Sequence, residues 1–384
     1  MSGTAEMQGE MHAQAWLTLS LVPRLGPVIC RRLVASFGSP EAVLEAGIVD
    51  LRGACTLHRE SLEALGGAGR AHLEATAQEE FAHAAAREIT LIPCDDPRYP
   101  TLLQQIHDPP VLLYLRGNVA ALNSRSIALV GSRSASHYGI SVASMLAKDL
   151  AGLGFTVVSG MALGIDGAAH RAVLDAGGTT IGVLGCGLDI VYPPGNNRLF
   201  QEIIATGAIV SEYSLGSRPE SFRFPVRNRI ISGLSFGVVV IEAANRSGSL
   251  ITAGHALEQG REVFAVPGRI DSMKSSGTHT LLKQGAKLVH SVQDIIEEFQ
   301  PGTLGCEARE GELHADTEKV ADLDPDEAAL FALLDVYPLT IDEIARISGF
   351  SPQRTSELLL LLELKGLVES LPGKNYKRSK DFTR

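Results

Sequence analysis

The chain has 384 residues, is 45% hydrophobic and 20% charged, and carries a formal net charge of -10. These values suit two or three globular domains, and the acidic balance argues against indiscriminate binding to nucleic acid or anionic membrane while leaving room for a local basic site. Residues Met1 to Glu10 lack the basic start and apolar core of a signal peptide, the apolar runs are too short to span a bilayer, and five scattered cysteines include no CxxC pair. The expectation is a reduced, cytoplasmic protein with no membrane partner, no metal and no disulfide framework.

From about Ala13 to Glu88 the chain is rich in Ala, Leu and Glu at helical spacing, which predicts a block of short helices over residues 10–88. Leu25-Gly26 marks a tight turn between two of them. Ser39-Pro40-Glu41 is a helix start, with a cap, a proline at the first position and an early acid. The proline-rich stretch that follows predicts an extended connector, one helix at Pro100 to Ile106 and a strand at Val111 to Leu115.

Residues 89–299 form the second block. Strand candidates are Ile127–Val130, Thr156–Ser159, Thr180–Leu184, Ala208–Val210, Val238–Ile241 and Val263–Val266. Most are separated by helical segments at Tyr138–Leu153, Gly164–Ala176, Asn197–Thr206 and Leu250–Gln259. Apolar strands joined by helices predict an α/β fold with a doubly wound parallel sheet, whose ligands bind beyond the carboxyl ends of the strands. Residues 300–324 turn polar and acidic, as a linker does, and 325–384 carry three helical stretches and a hairpin near Pro372-Gly373, a winged-helix order.

The strand ends are the places to read. The first is followed by Gly131-Ser132-Arg133, the second by Gly160 within "SGMALGIDGAAH", and the fifth by Ser247-Gly248-Ser249 opening a helix. Glycines let a ligand approach the backbone, and helix N-termini offer free N–H groups to anions. "GVLGCGLD" lacks the third glycine of a dinucleotide fingerprint, and no Walker loop is present, so no cofactor is expected. In "SFRFPVRNRIISGLS", Arg223, Arg227 and Arg229 alternate with Phe222, Phe224 and Asn228, on what reads as a loop between strands; Lys283 lies further on. Cations beside aromatic rings suit single-stranded nucleic acid. Spacing alone leaves a nucleotide-like small ligand level with it, and pairing with Glu202, Glu212, Glu220 or Glu242 is the bland use of the same arginines. Asp166, His170 and Asp189 lie near the edge, but no catalytic motif joins them.

Together "ALVGSRSAS", "SGMALGIDGAAHRAVLDAGGTTIGVLGCGLDIVYPPGN", "SEYSLGSRPESFRFPVRNRIISGLS", "EAANRSGSLITAGHALEQGREVFAVPG" and "GTHTLLKQGAKLV" closely resemble the DNA-processing protein A (Smf) family, in order and across the whole central block. The resemblance implies an extended Rossmann-like domain that binds single-stranded DNA, protects incoming strands and loads the RecA recombinase in natural transformation, and a homodimer. Single-strand-binding protein is a further candidate partner. The resemblance carries DNA contact to Arg133, to Phe224, Arg227, Asn228 and Arg229, to Ser247, Gly248 and Ser249, and to Lys283. Ser132 and Gly160 join these from their turns. Many members have a lysine where Ser221 stands here, so Arg223 is expected to supply that charge. The N-terminal block resembles a SAM-like, helix-hairpin-helix module, with Arg24 in place of a hairpin glycine, and is expected to act in interaction or as scaffold. The C-terminal block resembles the family's winged helix; its recognition-helix candidate carries only Arg354 and Lys365 as cations, which favours protein over duplex as its partner. The rival is a phosphoribohydrolase-like enzyme of the same superfamily, but "NRSGSLITAGHA" lacks the glutamate such enzymes place there.

Overall fold

The structure, a computed structural model, describes residues 2–299, 323–334, 338–371 and 373–379. The chain divides into two compact units at Gln300/Pro301. The expected linker, 300–324, lies almost wholly outside the described residues.

The first unit opens with helices α1 (Ser2–Ser20), α2 (Pro27–Phe37), α3 (Pro40–Glu45), α4 (Ile48–Ala54), α5 (Arg59–Leu65) and α6 (Gly67–Ala85). The turn signals act as read. Gly26 precedes α2, and the Ser39 side chain accepts from the Ala42 N–H at the start of α3, with Pro40 at its first position. Then follow β1 (Thr90–Pro93), α7 (Thr101–Gln104), β2 (Leu112–Gly117), β3 (Ser126–Val130), α8 (His137–Gly152), β4 (Thr156–Ser159), α9 (Ile165–Asp175), β5 (Thr180–Val183), α10 (Asn197–Thr206) and β6 (Ala208–Ser211). The unit continues with α11 (Arg223–Gly233), β7 (Gly237–Val240), α12 (Gly248–Glu258), β8 (Glu262–Ala265), α13 (Ser276–Lys283), β9 (Lys287–Leu288) and α14 (Val292–Ile296).

These strands form one sheet of order β1-β2-β6-β5-β4-β3-β7-β8-β9. From β6 to β9 every pairing is parallel. The stretch expected as an extended connector adds an antiparallel edge, with β1 on β2 and β2 on β6. Every residue of β3 to β7 is buried, which explains their unbroken apolar runs. The helical block shares this core: Trp16, Leu17 and Leu19 of α1 belong to the same buried cluster as Leu113, Ile181 and Val238. From β3 the chain winds outward through β4, β5 and β6, then returns to lay β7 and β8 on the other side. The order therefore reverses between β3 and β7, and a crevice opens there at their carboxyl ends.

One expected loop is a helix. Arg223–Gly233 is α11, with Pro225 in its first turn, where a missing N–H leaves no intrahelical bond unmade. Residues 227–233 are buried without interruption, so the helix shows no apolar stripe.

The second unit comprises α15 (Pro325–Leu333), β10 (Leu339–Thr340), α16 (Ile341–Ser348), α17 (Pro352–Leu364), β11 (Val368–Leu371) and β12 (Asn375–Arg378), with strand order β10-β12-β11. Leu330, Ile344, Leu358, Leu359 and Leu362 pack its core. Thr340 and Glu343 close a capping box on α16, and Gly349, in the left-handed region, ends it. This is a winged helix.

Candidate nucleic-acid interface

The crevice between β3 and β7 is a cleft of about 660 Å3. Its walls are the turn after β3, with Ser132 and Arg133, and the turn after β7, with Arg246, Ser247, Gly248 and Ser249. Its third side is the start of α11, with Phe224, Arg227 and Asn228. A smaller apolar notch of about 90 Å3 opens beside it, bounded by Gly160, Tyr192, Phe224 and Arg227 among others. Eight of the twelve residues expected at the site thus line the cleft, and Gly160 borders the notch.

Two glycines bring the turns together. A Cβ on Gly164, whose φ is +77°, would lie 2.2 Å from the Ser132 carbonyl oxygen, so the turn after β4 packs directly on the turn after β3. A Cβ on Gly160 would lie 2.8 Å from both Arg227 Nη2 and Asp166 Oδ2. Those two groups are buried beneath the cleft. Asp166 accepts the Gly160 and Ala162 N–H groups at 3.1 and 3.3 Å. Arg227 donates to the carbonyls of Gly160 at 3.0 Å and of Val183. Burial pulls the Arg227 guanidinium down to about 10, with the Asp166 carboxylate working the other way, so it stays charged at neutral pH. Asn228 donates to the Gly248 carbonyl at 3.3 Å and ties α11 to the start of α12. There Ser247 caps the helix, accepting from the Ser249 N–H, while its hydroxyl meets that of Ser249 at 2.8 Å.

Burial sorts the arginines into two kinds. Arg133 and Arg246 are exposed in the cleft, and neither has an ion pair among the described residues. The Arg133 guanidinium lies 5.2 Å from the Phe224 ring centroid. Arg229, expected on phosphate, is 4% exposed and faces away from the cleft. It makes a two-bonded pair with Glu212 at 2.7 and 3.1 Å and meets Asp108 at 2.9 Å. Burial opposes its charge, but these carboxylates outweigh burial and hold its pKa above the ordinary value. Arg223, expected to replace a lysine at position 221, is committed to Glu220 at 3.0 Å, and its guanidinium stacks 4.9 Å from the Tyr213 ring. Lys283 is exposed in the last turn of α13, outside the cleft lining. The first turn of that helix meets the edge, where the Gly277 N–H donates to the Ala243 carbonyl at 2.8 Å, and the helix then runs away from it.

Sequence reasoning missed Arg246 and Tyr192. Arg246 sits immediately before the serine-rich turn at Ser247. Tyr192 stacks on Phe224 with centroids 5.5 Å apart and planes at 27°, from a loop whose sequence gives no sign of where it folds. The acid and base candidates are occupied by structure. His170 is fully buried on Thr180, and burial pushes it down to about 3. Asp189 accepts the Gly216 N–H at 2.9 Å, and Glu242, expected as a partner for the arginines, instead accepts the Ser136 N–H at 2.8 Å.

A largely parallel sheet with a cationic, ring-lined cleft at its switch point is a Rossmann-like arrangement. Residues 90–300 match the family model described as DNA recombination-mediator protein A, and residues 314–374 match the DprA winged helix domain. The chain belongs to the DNA recombination-mediator protein A family. It is 43% identical to Protein Smf of Escherichia coli over 74% of this chain and 76% of that protein. DNA processing protein A from Streptococcus pneumoniae superposes with a TM-score of 0.64 at 37% identity, over 74% of this chain and 96% of that one. DNA processing protein A from Helicobacter pylori, described for its single-stranded DNA binding mode, superposes with a TM-score of 0.50 at 32% identity, over 55% and 95% of the two chains.

Proposed function

We propose that this protein binds single-stranded DNA in the β3/β7 cleft, without catalysis, and protects incoming strands and loads RecA onto them during natural transformation and recombination. One observation carries the reading. Three arginines and one aspartate line the cleft beside the paired rings of Phe224 and Tyr192, and two of those arginines are exposed without an ion-pair partner among the described residues. Phosphates answer the guanidiniums, and unstacked bases answer the rings. The sequence resemblance implies a homodimer, which would present two clefts on one particle, and RecA and single-strand-binding protein as partners on the strand. The helical block acts as scaffold, since it shares the sheet's core. The winged helix is read as a protein-binding module. Arg354 of α17 is paired with Asp326 and Glu357, and Lys365 with Glu327, while Leu360, Leu361 and Leu364 are exposed. Groove reading needs free cations on that helix.

Replacing Arg133 and Arg246 together by alanine tests the site. Affinity for single strands should fall at every sequence alike, and the log–log salt dependence should become shallower by about 1.4, or ~0.7 for each phosphate that is no longer neutralised. Melting temperature should not change, because both side chains are exposed. Unaltered affinity in a folded double variant would place the strand elsewhere.

A further inference from the structure

Residues Leu215 to Phe222 form a ridge with two sides. Pro219 and Ser221 line the cleft. Arg218 and Glu220 line an open depression of about 430 Å3 on the far side, together with Arg223. The two hollows are therefore separated by one width of backbone. The ridge is held from below. Asp189 accepts the Gly216 N–H at 2.9 Å, and Ser217 accepts the Gly187 N–H through its carbonyl, also at 2.9 Å. Glu80 of α6 accepts the Leu215 N–H at 2.7 Å.

The ridge carries cations and a ring of its own. Arg223 is neutralised by Glu220 at 3.0 Å and donates to the Arg218 carbonyl at 3.1 Å. That leaves the Arg218 guanidinium exposed, with no hydrogen bond or ion pair among the described residues. Phe222 is 63% exposed at the crest, with the Arg223 guanidinium 5.7 Å from its centroid. An exposed ring at the crest, and in the adjoining depression a guanidinium left without a counter-charge, on a ridge whose other side lines the cleft, fit an unstacked base and its phosphate.

We propose that this depression is a second nucleotide subsite, which takes the strand as it leaves the cleft: Phe222 stacks on a base at the crest, and Arg218 receives the next phosphate. The inference rests on the cleft being the primary single-stranded DNA site. It also puts the cation that position 221 lacks at Arg218 rather than at Arg223.

The test is a titration of the full chain with oligothymidylates of stepped length, from a dinucleotide to about 20 nucleotides, using wild type, Arg218→Ala, Phe222→Ala and Arg133→Ala. Phe222→Ala should weaken the long oligonucleotide about fivefold or more, with its salt slope unchanged. Arg218→Ala should weaken it with a slope shallower by about 0.7. Neither should change affinity for the dinucleotide, which Arg133→Ala should weaken along with the long strand. Two results would overturn the second subsite while leaving the cleft in place: both variants matching wild type at every length, or both losing the dinucleotide as much as the long strand. A wild-type chain that binds no oligonucleotide at any length would sink the reading of the cleft itself.

Discussion

Arg227 and Arg229 stand two positions apart on α11, both 4% exposed, and do different work. Arg227 braces the carboxyl ends of β4 and β5 and keeps its charge beneath the cleft, whereas Arg229 neutralises Glu212 and Asp108 on the side away from it. Replacing Arg229 by alanine strands a carboxylate, Glu212, whose side chain is only 15% exposed. Breaking a buried pair this way costs roughly 3–5 kcal/mol, so the melting temperature should fall sharply while the salt slope of DNA binding by the folded fraction is kept. A variant that melts like wild type but shows a shallower slope would return Arg229 to the phosphates. Phe224 is half-buried between Tyr192, Gly185 and the Arg133 guanidinium. Truncating it to alanine should cost about 1–3 kcal/mol of binding at unchanged salt slope. Lost thermal stability at unchanged affinity would make it a packing residue. The sequence named the residue types of this site but not their directions. Arg229 was expected on DNA from the family resemblance; its pairing with Glu212 is the bland use that the sequence also allowed, while Asp108 lies far upstream and only the fold brings it near. Arg246 was overlooked because a single exposed arginine before a serine-rich turn has no pattern around it.

At the scale of elements, the parallel strands β3 to β8 were legible because they read as apolar runs between turns, whereas β9, two exposed residues paired parallel with β8, carries no such signal. Helices α8, α9, α10 and α12 fell within a few residues of their expected places for the same reason. Helix α11 was hidden, since Arg227, Asn228 and Arg229 are buried along with Ile230 and Ile231 and leave no stripe to read. Strand β1 was hidden because it is only four residues long, runs into a proline-rich stretch at Pro93 and pairs antiparallel with a strand that comes later. The join between the helical block and this edge has a titratable clip. His12 of α1 meets Glu41 of α3 at 2.8 Å and Asp95 beyond β1 at 2.9 Å, and Trp16 donates to the same Asp95 at 3.0 Å. Burial lowers the pKa of His12, but its hydrogen bonds and charge pairing with Asp95 and Glu41 outweigh this, and the net shift is upward. A raised pKa means that the folded state holds the proton more tightly than the unfolded chain does. The clip therefore contributes fully below the ordinary histidine value of about 6.5, and its contribution fades as pH rises through the folded value. His12→Gln should lower the melting temperature at pH near 6, and the gap to wild type should narrow steadily toward pH near 9. A gap constant across that range would show that His12 acts by packing alone.

For the whole molecule, a net charge of -10 and a cationic cleft act together. On the proposed reading, the acidic balance disfavours polyanions in general, and binding depends on what the cleft offers: exposed guanidiniums at the wall, a charged arginine held beneath, and rings that would take unstacked bases. Duplex DNA presents phosphates but keeps its bases stacked, so it can satisfy only part of this set. The measurement that tests this most directly is a titration of the intact protein with single-stranded and double-stranded oligonucleotides of equal length across a salt series. Single strands of any sequence should bind more tightly than duplex at every salt concentration, with log affinity falling linearly against log salt by about 0.7 for each phosphate engaged. Equal affinity for duplex, or binding that ignores salt, would contradict a cleft built for single-stranded DNA.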